Sequence, residues 1–274
     1  MTIFTSIYKF LKYIKFWKDG GVTNLKISQI EYSQILDNKR VVVTGGGSGI
    51  GLAIAKKCLS VGAVVLITGR NEERLKRVQS ELGNSKLHIL QWDVSDIDIL
   101  DRKFCEAIDI LGGCDVVVNN AALVAFGNNN KDFYDKIMNT NMKAVFFMCK
   151  KAVSYFMQIN GSKGGKILNI SSLSAQQSST DPYYISKTGV DAITRGFAKK
   201  YASNNIIVNA IAPGYCASSV NYMDISKNAY CSENANKRII IPEEIAELAI
   251  FMLSDAANGI IGQTILCDGG ALLN

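Results

Sequence analysis

The segment DPYYISK, residues 181–187, sets a tyrosine and a lysine four positions apart. Residues at i and i+4 share one face of a helix, so Tyr183 and Lys187 can act together, whereas Tyr184 is turned about 100° away. A free phenol titrates near ~10, and an ammonium close by favours the phenolate. Such a pair can give a proton to an oxygen, or remove one, near working pH. Histidine-based chemistry is nearly excluded. The single histidine, His88, lies in the apolar run KLHILQW and reads as a packed strand residue. Seven cysteines without a CxxC pair suggest neither a zinc cluster nor a disulfide framework, so no metal is expected and a reducing compartment is the simplest reading.

A second group of residues could hold a nucleotide. In VVVTGGGSGIGLAIAKKCL, the glycines Gly45, Gly49 and Gly51 fall between an apolar strand and an amphipathic helix starting near Ile50. Glycines there let the chain turn tightly and approach a pyrophosphate, while the helix N-terminus favours negative charge. About 20 residues further on, an acid would hydrogen-bond the free ribose 2′-hydroxyl of NAD. The chain instead reads VVLITGRNEERL, with Gly69 at that position and Arg70 beside it. A guanidinium can pair with a 2′-phosphate, so NADP(H) is favoured over NAD(H). The competing reading of Arg70 is a solvated residue at a helix start.

These residues need a framework to bring them together. Short β-branched runs alternate with longer helical patterns from Lys39 onward, the signature of a parallel sheet covered on both faces. Seven strands are expected: Arg40 to Thr44, Ala63 to Thr68, Leu87 to Gln91, Asp115 to Val118, Lys166 to Ile170, Ile206 to Ile211 and Thr264 to Cys267. Right-handed crossovers make this an α/β, doubly wound, Rossmann-like sheet whose ligand crevice lies outside the carboxyl ends of the strands. With 274 residues, 48% hydrophobic and 20% charged, the chain supports one such domain, residues 38–274. Residues Tyr215 to Ile241 form the expected lid, with Tyr222, Met223, Ile225 and Tyr230 as candidates for an apolar substrate wall.

The formal charge of +6 is concentrated at the start: residues 1–39 hold six lysines against Asp19, Glu31 and Asp37. The body is close to balanced and shows no basic stripe with interleaved aromatics, which leaves nucleic acid with little support. Residues 1–37 form an extension whose first 18 residues are amphipathic. Four lysines interrupt them too often for a transmembrane span. An interfacial or organelle-targeting helix and a segment that packs on its own domain or a neighbouring subunit are equally open, so the chain is cytoplasmic or associated with a membrane or organelle through this extension.

Taken together and in order, TGGGSGIG (44–51), DV (93–94), NNAA (119–122), Asn141, NISS (169–172), YYISK (183–187), VNAIAPG (208–214) and DGG (268–270) resemble the short-chain dehydrogenase/reductase family. The resemblance covers about residues 38 to 272. It implies an NAD(P)-dependent oxidoreductase that moves hydride between nicotinamide and a carbonyl or secondary alcohol, with Asn141, Ser172, Tyr183 and Lys187 as catalytic residues. Tyr183 would exchange the proton, Ser172 would orient the substrate oxygen, Lys187 would also hold the nicotinamide ribose, and Asn141 would support a water-linked proton path to the lysine. Asp93 and Val94 would flank the adenine, Asn119 and Ala121 the ribose, and Ile211, Pro213, Gly214 and Ser218 the nicotinamide end. Ser48 stands where many NADP-preferring members have a basic residue. The segment between serine and tyrosine is shortened relative to the family's pattern, so Ser171 remains a possible alternative to Ser172. The family also implies a homo-oligomer, a dimer or tetramer joined through the helices carrying Asn141 and Tyr183. A 3-oxoacyl thioester reductase and a non-catalytic NADP-binding scaffold are the other readings.

Overall fold

The computed structural model describes residues 33–125, 130–217 and 228–273. Seven parallel strands form one sheet in the order β3-β2-β1-β4-β5-β6-β7. They are β1 Arg40–Thr44, β2 Val64–Gly69, β3 Leu87–Gln91, β4 Val116–Asn119, β5 Gly165–Ile170, β6 Ile206–Pro213 and β7 Thr264–Cys267. Each expected strand is present, with ends displaced by no more than two residues. The helices that connect them are α1 Gly49–Ser60, α2 Glu72–Leu82, α3 Leu100–Leu111, α4 Lys131–Met138, α5 Ala144–Tyr155, α6 Pro182–Tyr201 and α7 Pro242–Leu253. A π-helical turn, Asn139–Lys143, joins α4 to α5.

The valine run of β1 explains why the sheet must be covered twice. Val41, Val42 and Val43 are all fully buried. Val41 and Val43 pack with α1 and α7, while Val42 packs on the opposite face with α3, α5 and α6. Alternation along a strand sends neighbours to opposite faces, and each such side chain contributes roughly 1.5–3 kcal/mol by leaving water. At the amino ends of the two central strands, Arg40 makes a bidentate pair with Asp115, Nε to Oδ2 and Nη2 to Oδ1, both at 2.8 Å. Burial alone would raise the Asp115 carboxyl, but its hydrogen bonds to Arg40 hold it below the usual range.

From β1 the chain winds outward to β3, then returns to the other side of β1 as β4. The carboxyl ends of β1 and β4 therefore flank a crevice at the switch in strand order. Thr44 bridges it, donating to Val118 O at 3.2 Å and accepting the backbone N–H groups of Asn120 and Ala121 at 3.0 and 3.1 Å.

The packed body begins before residue 38: Leu36 is 1% exposed and donates its N–H to Val61 O. A single buried leucine in a turn carries no periodicity, so the sequence hides it. The described part of the expected lid is also held down. Ile240 pairs with Cys216, Tyr230 pairs with Arg238, and Asn234 Nδ2 donates to Arg238 O at 2.6 Å. Tyr222, Met223 and Ile225 lie outside the described residues, as does the extension up to residue 32.

Candidate active site

A cavity of about 550 Å³ runs along the carboxyl ends of the strands. Arg70, Arg74, Asp93 and Val94 line it beside β2 and β3, Gly45, Ser48, Gly49 and Ile50 beside β1, and Ser172, Tyr183, Lys187, Pro213 and Gly214 beside β5 and β6.

The glycine turn takes its shape from backbone angles that other residues avoid. Gly45 and Gly49 have φ of +65° and +53°, and a Cβ on Gly45 would come within 2.9 Å of the Ala121 backbone. Asn120 braces the turn, its Nδ2 donating to Thr44 O at 2.9 Å and Gly45 O at 3.1 Å. Helix α1 begins there with no acid in its first turn and no side-chain cap from Ser48. Its leading amides are thus suited to an anion. Gly51 is not in the cavity wall. A side chain there would collide with the Asn120 amide and the Gly45 carbonyl, so its task is close packing.

Asn119 was expected at the ribose, and its side chain turns toward Asn169. It is 4% exposed, outside the cavity wall, and its Nδ2 donates to Asn169 Oδ1 at 2.9 Å. Strand alternation gives the reason: Asn119 turns into the sheet, and Asn120 takes the crevice. Ala121 lines the wall as expected. Ile211 is fully buried away from it, accepting the Ser171 N–H at 2.7 Å, and Ser218 lies outside the described residues. Gly214 abuts Asp268, whose Cα would lie 2.6 Å from an added Cβ.

Around the end of β2 there is no carboxylate at Gly69, while the exposed Arg70 lines the cavity and its carbonyl accepts Gln91 Nε2. Arg74 was missed in the sequence although it stands one helical turn further on. Asn71 caps α2 by accepting the Arg74 N–H at 2.8 Å, and the Arg74 side chain lies beside Gly47. Thr68 and Trp92 line the same end, and their buried Oγ1 and Nε1 have no hydrogen-bond partner among the described residues. Asp93 Oδ1 accepts the N–H and hydroxyl of Ser95 at 3.0 and 2.6 Å. A glycine cradle and an uncapped helix start fit the pyrophosphate of a dinucleotide, with two guanidinium groups at the far end.

At the other end, Asp181 caps α6, accepting the Tyr183 N–H at 2.8 Å, and Pro182 occupies the first helical turn. Tyr183 and Lys187 both face the cavity, while Tyr184 stands edge-on to Tyr183 at 6.3 Å, outside the cavity wall. Ser172 accepts the Ser174 N–H at 3.1 Å and acts to lower the Tyr183 phenol. Ser171 points to the backbone, its hydroxyl 3.4 Å from Lys187 O. Both serines line the cavity, and of the two it is Ser172 that influences the Tyr183 phenol.

The electrostatics differ from the sequence expectation. Burial pushes the Tyr183 phenol above its ordinary value, the bond from Ser172 pulling the other way. Burial likewise lowers Lys187 from 10.5 to about 8, with Asp191 opposing it. Lys187 Nζ donates to Ile170 O at 2.8 Å and lies 5.9 Å from the Tyr183 ring centre. Asn141 is 1% exposed and also outside the cavity wall; its Oδ1 accepts the Leu123 N–H at 2.8 Å and its Nδ2 donates to Leu123 O at 2.9 Å.

Residues 45–271 match the family model described as Enoyl-(Acyl carrier protein) reductase. The chain is 32% identical over 261 residues to 3beta-hydroxysteroid dehydrogenase 2 of Eggerthella lenta, covering 89% of this chain and 98% of that protein. It is 29% identical over 245 residues to the 3-oxoacyl-(acyl-carrier-protein) reductase FabG of Aquifex aeolicus, covering 86% of this chain and 98% of that one. A solved mutant of a Serratia marcescens short-chain dehydrogenase/reductase superposes with a TM-score of 0.77 at 27% identity, covering 86% of this chain and 98% of that chain.

Proposed function

The chain belongs to the short-chain dehydrogenase/reductase family of NAD(P)-dependent oxidoreductases, and on that footing we propose that it interconverts a carbonyl and a secondary alcohol using NADP(H). The observation that carries this reading is the single cavity that joins the glycine turn to Ser172, Tyr183 and Lys187. When bound, the nicotinamide supplies or accepts the hydride. Tyr183 gives its proton to the carbonyl oxygen in reduction and takes it back in oxidation. Its high phenol value favours the protonated, donating form. Ser172, in the same cavity wall as Tyr183, holds the substrate oxygen in place. Lys187 steadies the nicotinamide ribose and replenishes positive charge beside the phenol, and Asn141 fixes the segment after Ala122 through its paired bonds to Leu123.

NADP(H) over NAD(H) rests on the missing carboxylate at Gly69 and on Arg70 and Arg74 in the wall. Absorbance assays of a ketone and alcohol panel with NADPH and NADH test both parts. The 3-oxo thioester class named for FabG and the hydroxysteroid class named for the Eggerthella lenta protein are the first substrates to try. Tyr183→Phe is expected to lower kcat/KM by roughly 10²-fold or more, with Tyr184→Phe close to wild type. The reverse outcome refutes the assignment. Arg70→Ala is expected to weaken NADPH use selectively, and an unchanged NADPH/NADH ratio removes the cofactor preference. The subunits associate, in this reading, through α5 and α6, where Phe146 and Ile185 are exposed apolar side chains.

A further inference from the structure

Asp191 is a buried carboxylate that no step of the proposed reaction uses. It is 2% exposed and lies on α6 four residues beyond Lys187, so Tyr183, Lys187 and Asp191 follow one line along the helix. Its two oxygens are engaged from two other elements. Oδ2 accepts Gln176 Nε2 at 2.9 Å, and Oδ1 accepts the Thr264 hydroxyl at 3.1 Å. Gln176 ends the 3-10 turn Leu173–Gln176 that follows Ser172, and Thr264 opens β7. Both carboxyl oxygens thus act as acceptors.

The groups facing Lys187 are few. On its own helix they are Tyr183 and Asp191; β5 presents the Ile170 carbonyl and the neutral Ser171, and the π-helical turn presents the neutral Asn141, bonded to Ser186. Gln176 and Thr264, which reach Asp191, are also neutral. Among the described residues Lys187 has no ion-pair partner, so the nearest compensating charge acts through space.

We propose that Asp191 is a positioning residue for the proton-transfer pair: clamped by Gln176 and Thr264, its negative charge keeps Lys187 in the ammonium form and couples that state to the loop carrying Ser172. The inference rests on the reading of Tyr183 and Lys187 as that pair. Burial works against the ammonium and Asp191 works for it, so removing the carboxylate leaves burial unopposed.

The test titrates the full-length protein, with lysines labelled at the ε-carbon, by NMR in wild type, Asp191→Asn and Asp191→Glu. The Lys187 signal is identified by its loss in Lys187→Met. Profiles of kcat/KM against pH accompany it for a ketone that wild type reduces. In Asp191→Asn, the Lys187 titration and the alkaline limb are expected to fall by about half a pH unit or more, and Asp191→Glu to return toward wild type. A lowered melting temperature with an unmoved Lys187 titration assigns Asp191 a purely structural role and overturns the proposal. Should Asp191→Asn not fold, Gln176→Lys at an exposed position sets an ammonium on the carboxylate and must lower the titration likewise; no movement there overturns it too. The NMR reading needs no turnover. Wild type inert on every ketone would therefore sink the functional reading alone.

Discussion

Lys187 carries a cost that catalysis would explain. Its ordinary value of 10.5 falls to about 8 on burial, so the folded chain holds the proton less tightly than the unfolded one. Below about 8 both states are protonated and the folded state bears the whole burial cost. Between about 8 and 10.5 the unfolded chain binds the extra proton, and this group's contribution to stability rises with pH. Lys187→Met is therefore expected to raise the melting temperature at pH 7 by roughly a few degrees while lowering kcat/KM by roughly 10²-fold or more. Loss of the bond to Ile170 O, worth about 1 kcal/mol, is the smaller effect. Calorimetry beside steady-state kinetics checks both halves, and a variant that melts lower than wild type contradicts the sign.

At the scale of elements, the site depends on how closely the β1–α1 turn meets the segment after β4. The sequence marks Gly51 as a cofactor residue, and a Cβ there would meet Asn120 and the Gly45 carbonyl within the protein. Gly51→Ala is expected to destabilise the fold by about 1–3 kcal/mol through overpacking, and to weaken cofactor binding only as a consequence of shifting Asn120. Denaturant unfolding and cofactor titration separate the two. A variant of wild-type stability that no longer binds cofactor would return Gly51 to direct contact. Asn119 and Asn120 make the same point. The letters NN are adjacent in sequence, yet strand alternation assigns one to the sheet and the other to the crevice.

For the whole molecule, the exposed apolar side chains on α5 and α6 bear on assembly. Phe146 is 41% exposed and stands edge-on to Phe197 at 5.6 Å, an aromatic pair open to a neighbouring subunit. On the proposed assembly through α5 and α6, Phe146→Glu is expected to give monomers in light scattering behind gel filtration, with the melting transition retained. A wild-type monomer, or a variant that stays assembled, removes α5 from the interface. Among the described residues no helix is long and apolar enough to cross a membrane, and the amphipathic start lies outside them.

The sequence by itself determined the α/β class, the strands and the positions of the glycine turn, Tyr183 and Lys187. Each of these depends on local periods and on residue types whose backbone or acid/base properties are intrinsic. Only the tertiary structure decided that Ser172 reaches the phenol, that Asn120 replaces Asn119 at the crevice, that Arg74 joins Arg70, and that burial sets Lys187 and Tyr183 against their ordinary values. Those outcomes depend on which face of a strand meets which helix and on how much water is excluded, and both are properties of elements far apart in the chain.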